Sequence, residues 1–265
     1  MYIGFELKHL DFEDFEDFLR IGKINFIKHK RIIKKTLEEF TNANGNLNGD
    51  KMQSAWFPKI KADIFLSHSH ADENLVIAFA GWLNHTFDLK VFIDSCIWGY
   101  SKDLQKIIDE NYSKNTNAKY IYDKVLYASS HVHMMLNTAL MQMIDTCECI
   151  IFINTPNSVK PDEVVDKIVS PWIYSEIGMT KLIRKKELKE YRVQPICEDD
   201  RSFSDKLNIE FNLDSDHLTK LSIDDLNDWE NNFKKFKSLS TYIKKSLTEK
   251  RALDYLYELK EFSLV

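Results

Sequence analysis

The run Cys149-Ile150-Ile151-Phe152-Ile153-Asn154 constrains the fold more than any other stretch of this chain. It is apolar at both alternating sets of positions, which predicts a strand buried on both faces, the kind found in parallel sheets covered by helices. Thr155-Pro156-Asn157-Ser158 ends it, because proline cannot continue a central strand. Shorter runs of the same type come earlier, at Ile64-Phe65-Leu66 and Lys90-Val91-Phe92-Ile93-Asp94, with a helical segment from Glu73 to Phe87 between them. From Asp63 onward this alternation predicts βαβ units and a mainly parallel sheet. Further helices are expected over Lys102 to Asn111, about Ser130 to Thr146, and Ser170 to about Lys186. Trp98-Gly99-Tyr100 reads as a turn, and Arg192-Val193-Gln194-Pro195-Ile196 as the last strand of the sheet.

Both ends read as helical additions. Asp11 can cap a segment whose Phe15, Phe18, Leu19, Phe26, Ile33, Leu37 and Phe40 have helical spacing, with Gly22 marking a break into two helices. The turn-rich residues 42–50 read as a linker. Near the other end, Leu226, Trp229, Phe233, Phe236, Ile243 and Leu247 form an apolar stripe on polar helices. The expected division is therefore residues 1–50 as an N-terminal helical extension and linker, 51–200 as an α/β domain, and 201–265 as a C-terminal helical extension.

Composition excludes several classes. The net charge of −5, from 36 basic and 41 acidic side chains, gives no basic surface for a nucleic-acid partner. With no secretory signal pattern and no long apolar run, no membrane contact is expected, and the expected location is cytoplasmic. Cys96, Cys147, Cys149 and Cys197 form no CxxC pair, so no zinc site and no metal is expected. Cys147 and Cys149, two apart, read as small apolar fillers on one face of a strand.

Candidate chemistry gathers where the strands end. Ser170-Pro171 is a strong helix start, and it places Trp172 and Glu176, four apart, on one face of the first turns. Helix starts that follow strands sit at the carboxyl edge of an open α/β sheet, where such folds bind ligands. Ser67, His68, Ser69 and His70 follow the first of these strands and can donate to ribose hydroxyls or phosphate oxygens, although no GxGxxG is present. Taken singly, the Ser/His turn also reads as a helix cap, and Glu176 as a surface carboxylate. Trp98 and Tyr100 flank a glycine and suit stacking on a planar ring; a packed loop fits them equally. His131 and His133 lie about 200° apart on a helix, which argues against one metal taking both.

In combination, DIFLSHS, VFID, CIIFIN and the Trp172/Glu176 helix stand in the order of a Toll/interleukin-1 receptor (TIR) domain, and the chain resembles that family over roughly Asp63 to Cys197. The stretches Ala80-Gly81-Trp82, Ser130 to Met135 and Ser170-Pro171-Trp172 look like a bacterial group of TIR proteins, many serving antiphage defence of the Thoeris kind. The resemblance implies a flavodoxin-like α/β fold and cleavage of NAD⁺ as substrate, with no cofactor and with Glu176 as the catalytic residue. It implies substrate contacts at Ser67, His68, Ser69, Trp98, Tyr100, Trp172 and His133. It also implies a homo-oligomer formed through TIR contacts, and a downstream effector protein that senses the product. Adaptor members of the family bind only other TIR domains, so a non-catalytic scaffold is the alternative.

Overall fold

The computed structural model describes residues 1–8, 10–11, 14–29, 37–160, 167–168, 170–192, 211–212, 216–238 and 250–262. At its centre is an all-parallel five-stranded sheet built from β1 (Ile3–Lys8), β2 (Ile64–Ser67), β3 (Val91–Ile93), β4 (Cys149–Asn154) and β8 (Thr219–Leu221), in the order β3-β2-β4-β1-β8. The fold is thus α/β and flavodoxin-like. Numbered from β2, the first three strands follow the order 2-1-3 of such sheets, and the next position is filled by β1 from the N-terminus. A second, small antiparallel sheet joins β5 (Val159–Lys160), β6 (Lys167–Ile168) and β7 (Phe211–Asn212).

Four expectations are corrected here. Ile3–Lys8 is a central strand and not part of a helical addition: Ile3, Phe5 and Leu7 are buried, and Phe5 stacks toward Tyr257 at 6.4 Å. Arg192, expected to open the last sheet strand, instead closes the short helix α7 (Leu188–Arg192), while 193–196 lie outside the described residues; among those described the last strand of the central sheet is β8. Trp98-Gly99-Tyr100 is no turn, because α4 (Ser95–Tyr112) starts directly after β3 and runs through it. The helix expected from Ser130 begins a full eight residues earlier, as α5 (Tyr122–Thr146).

Gly22, read as a helix break, lies instead inside the continuous helix α1 (Phe15–His29). It sits where α1 crosses α3 (Glu73–Phe87) so closely that the two backbones touch. A Cβ on Gly22 would stand 1.9 Å from the Ile77 carbonyl oxygen, and one on Gly81 would stand 2.1 Å from that of Phe18. Gly22→Ala or Gly81→Ala must push the helices apart, so each is expected to cost about 1–3 kcal/mol or more. A lowered urea midpoint would show it; an unchanged midpoint would contradict the close crossing.

Connections running in opposite directions from β2 place the helices on both faces of the sheet. α3 packs with α1 and α8 (Ile223–Ser238), whereas α5 packs with α4, α2 (Gly49–Trp56) and α6 (Pro171–Leu182). The C-terminal stripe is buried as expected at Leu226, Trp229 and Phe233, while Ile243 and Leu247, like Ile33, lie outside the described residues. α9 (Ala252–Leu259) completes that side, where the Trp229 indole donates to the Ala252 carbonyl at 2.8 Å. No helix among the described residues is long and apolar enough to cross a membrane.

Candidate active site

Strand order reverses direction between β2 and β4, and the carboxyl ends of the strands there form the crevice in which sheets of this kind hold ligands. β2 delivers Ser67 and His68 to that edge, and the neighbouring β3 delivers Asp94. α6 closes on them from the β4 side. Its start is fixed as the sequence suggested, with Ser170 as cap accepting from the Ile173 amide and Pro171 in the first turn. The buried stripe of this helix is Ile173, Glu176, Ile177 and Thr180. Glu176 therefore occupies a position that helical periodicity reserves for an apolar side chain, a conflict of the kind that marks functional sites.

The four side chains form one buried cluster, with Glu176 only 2% exposed and Ser67, His68 and Asp94 fully buried. Ser67 Oγ donates to Glu176 Oε2 at 2.6 Å. Asp94 Oδ1 accepts from the Ser95 amide at 2.7 Å, and His68 Nδ1 stands 2.7 Å from the same oxygen. Burial lowers the His68 imidazole to about 4, so the ring is neutral. Two carboxyl oxygens remain without a donor, Glu176 Oε1 and Asp94 Oδ2. The Asp94 and Glu176 carboxyls are close enough to shift each other's proton affinity, and two ionised carboxylates have no proton to share in a hydrogen bond. One proton shared by the pair would give both oxygens a partner. Burial first, and then the Asp94 charge, pushes the Glu176 carboxyl well above its ordinary range; burial also raises Asp94.

Beside this cluster, the Trp172 ring lies 5.7 Å from His133 of α5, and Ser129 Oγ stands 3.3 Å from His133 Nδ1. One turn further, Ser175 donates to Asn137 at 2.9 Å. The structure thus brings together Ser67, His68 and Glu176, with Trp172 and His133 alongside. Ser69 is half-buried at the rim and makes no side-chain capping bond, so the reading of this turn as a cap finds no support in that residue. Tyr100 is buried in the second turn of α4; Trp98 lies in its first turn, and the placement of its side chain is outside the described residues.

Sequence reasoning gave no role to Asp94 or Asp72. The signal for Asp94 was present, an acid directly after a buried apolar strand and before a helix. Asp72 accepts from Thr155 Oγ1 at 2.5 Å and from Asn157 at 2.7 Å, tying the turn after β2 to the turn after β4. Among the described residues no group of three His, Cys, Asp or Glu is placed to hold a metal ion. What the cluster offers is a buried carboxyl pair with one titratable proton, an orienting hydroxyl and a neutral imidazole. Comparison of the chain with protein-family models, curated proteins and solved structures finds no match, so what this site does rests on its own geometry.

Proposed function

We propose that the chain is a TIR-domain enzyme that cleaves the nicotinamide–ribose bond of NAD⁺. Its main support is the position of Glu176, a carboxyl in a helical core position, held at the carboxyl edge of the sheet's switch point. Nicotinamide leaves as a neutral molecule from a cationic ring, so the bond asks for little acid help. What needs stabilising is the oxocarbenium-like ribose, and a fixed carboxylate near it does this electrostatically. Ser67 aims the Glu176 carboxyl, and Trp172 with His133 forms an aromatic wall beside it. The acceptor sets the product: water gives ADP-ribose, the adenine ring gives a cyclic isomer, and another small molecule gives a conjugate. By the same resemblance the setting we propose is a cytoplasmic homo-oligomer in bacterial antiphage defence, with an effector protein sensing the product.

The acting form of Glu176 is the ionised one, and the cationic nicotinamide ring favours that form. Because the carboxyl is raised above its ordinary range, kcat/KM is expected to climb with pH as the pair loses its proton. Asp94→Asn removes the like charge, lowers the Glu176 carboxyl, and should move the acidic limb of the profile to lower pH. An unmoved limb would contradict a role for Asp94 in positioning and tuning Glu176. Nicotinamide release from NAD⁺ by the purified chain, beside Glu176→Gln, tests the reaction itself.

One observation favours a second reading, a non-catalytic scaffold: the whole cluster is buried, so substrate reaches Glu176 only after its surroundings move. On that reading the carboxyl pair is purely structural, and the purified chain would leave NAD⁺ intact even at high concentration.

A further inference from the structure

We propose that a cavity on the opposite flank of α5 from the Glu176 cluster binds a purine nucleoside or free purine base. It has a volume of about 870 Å³, within the range of small-molecule sites. α5 contributes Tyr127, His131 and Met135 to it, residues at helical spacing on one face. The neighbouring histidine, His133, points about 200° away toward Trp172, so the two histidines belong to different sites. α2 adds Met52 and α4 adds Ile108 and Tyr112, while the turn around Gly45 closes one side.

Three features of the lining select the ligand. The floor (Met52, Ile108, Met135) is apolar, while Tyr112 and Tyr127 stay 48% and 70% exposed, which leaves aromatic surface open for stacking. The His131 ring packs edge-on to Tyr127 at 4.6 Å between centroids, which holds the Tyr127 ring ready before a ligand arrives. The charged side chains of the lining are one acid and one base, Asp123 and Lys124, whose charges cancel. A planar heteroaromatic is therefore favoured, with Asp123 able to accept from an exocyclic amine. No cluster of cations is present in the lining to hold a phosphate chain, which argues for an uncharged ligand. This site is independent of the NAD⁺ reading and stands if that reading fails.

The test is NMR of the full chain carrying ¹³C-methyl methionine, titrated with adenosine and, separately, with AMP. Adenosine should move the Met52 and Met135 signals saturably, while Met143 and Met179, away from the cavity, stay in place. Tyr127 is exposed, so Tyr127→Ala should keep the fold, read from unchanged Met143 and Met179 signals, and weaken adenosine about tenfold or more. AMP should bind more weakly than adenosine. No saturable movement of Met52 and Met135, or equal affinity in Tyr127→Ala, would overturn the proposal. Tighter binding of AMP would overturn the choice of an uncharged ligand.

Discussion

Glu176→Gln is expected to fold normally and to lose NAD⁺ turnover by two to three orders of magnitude, roughly 3–4 kcal/mol of barrier. The amide keeps the shape, still accepts from Ser67 and can donate an N–H to Asp94, so the hydrogen bonds of the cluster survive. On the proposed reaction, only the negative charge that would face the developing oxocarbenium is lost. The same substitution should also stabilise the fold in a pH-dependent way. A carboxyl raised in the folded state binds its proton more tightly there than in the unfolded chain, so stability falls as pH rises above the ordinary glutamate value of 4.5. Glu176→Gln removes that loss. Its melting temperature should exceed wild type at about pH 8, with the gap closing toward about pH 4. A variant destabilised at every pH would mean that the carboxyl is a structural element, not a strained functional one.

Trp229→Ala is expected to cost about 3–5 kcal/mol of stability, enough to remove much of the margin of a domain of this kind. The indole is fully buried, stacks on Phe87 at 3.9 Å between ring centroids, and meets Trp82 edge-on at 6.0 Å. It also donates to the Ala252 carbonyl, which the alanine variant would leave without that donor. One side chain thus joins α3, α8 and the start of α9. Chemical denaturation with far-UV circular dichroism measures the loss. A change under about 1 kcal/mol would show that the C-terminal helices are only loosely attached to the sheet domain.

The parts of the fold that the sequence made legible are those whose signals are local. β2, α3, β3 and β4 appear where unbroken apolar runs and helical periodicity place them, and α6 begins at Ser170-Pro171 as its capping chemistry requires. β1 was missed because its six residues are short and mixed, and the partners that make it a strand, β4 and β8, lie more than a hundred residues away. Gly22 signalled a break because a glycine alone does not say whether it serves a turn or a close helix crossing; Gly81, its counterpart, is far along the chain. The same distance hid half of the site. On its own helix Glu176 also read as a surface carboxylate and stood out only beside the other motifs, and the carboxyl pairing depends on Asp94, brought to it by sheet topology and not by any motif.

The central claim, that this buried carboxyl serves cleavage of NAD⁺, is tested most directly by following purified chain and NAD⁺ by proton NMR. Free nicotinamide should accumulate with wild type and not with Glu176→Gln, the second product showing whether water, the adenine ring or another molecule is the acceptor. NAD⁺ left intact by concentrated, assembled wild-type protein, or nicotinamide released equally by Glu176→Gln, would contradict it.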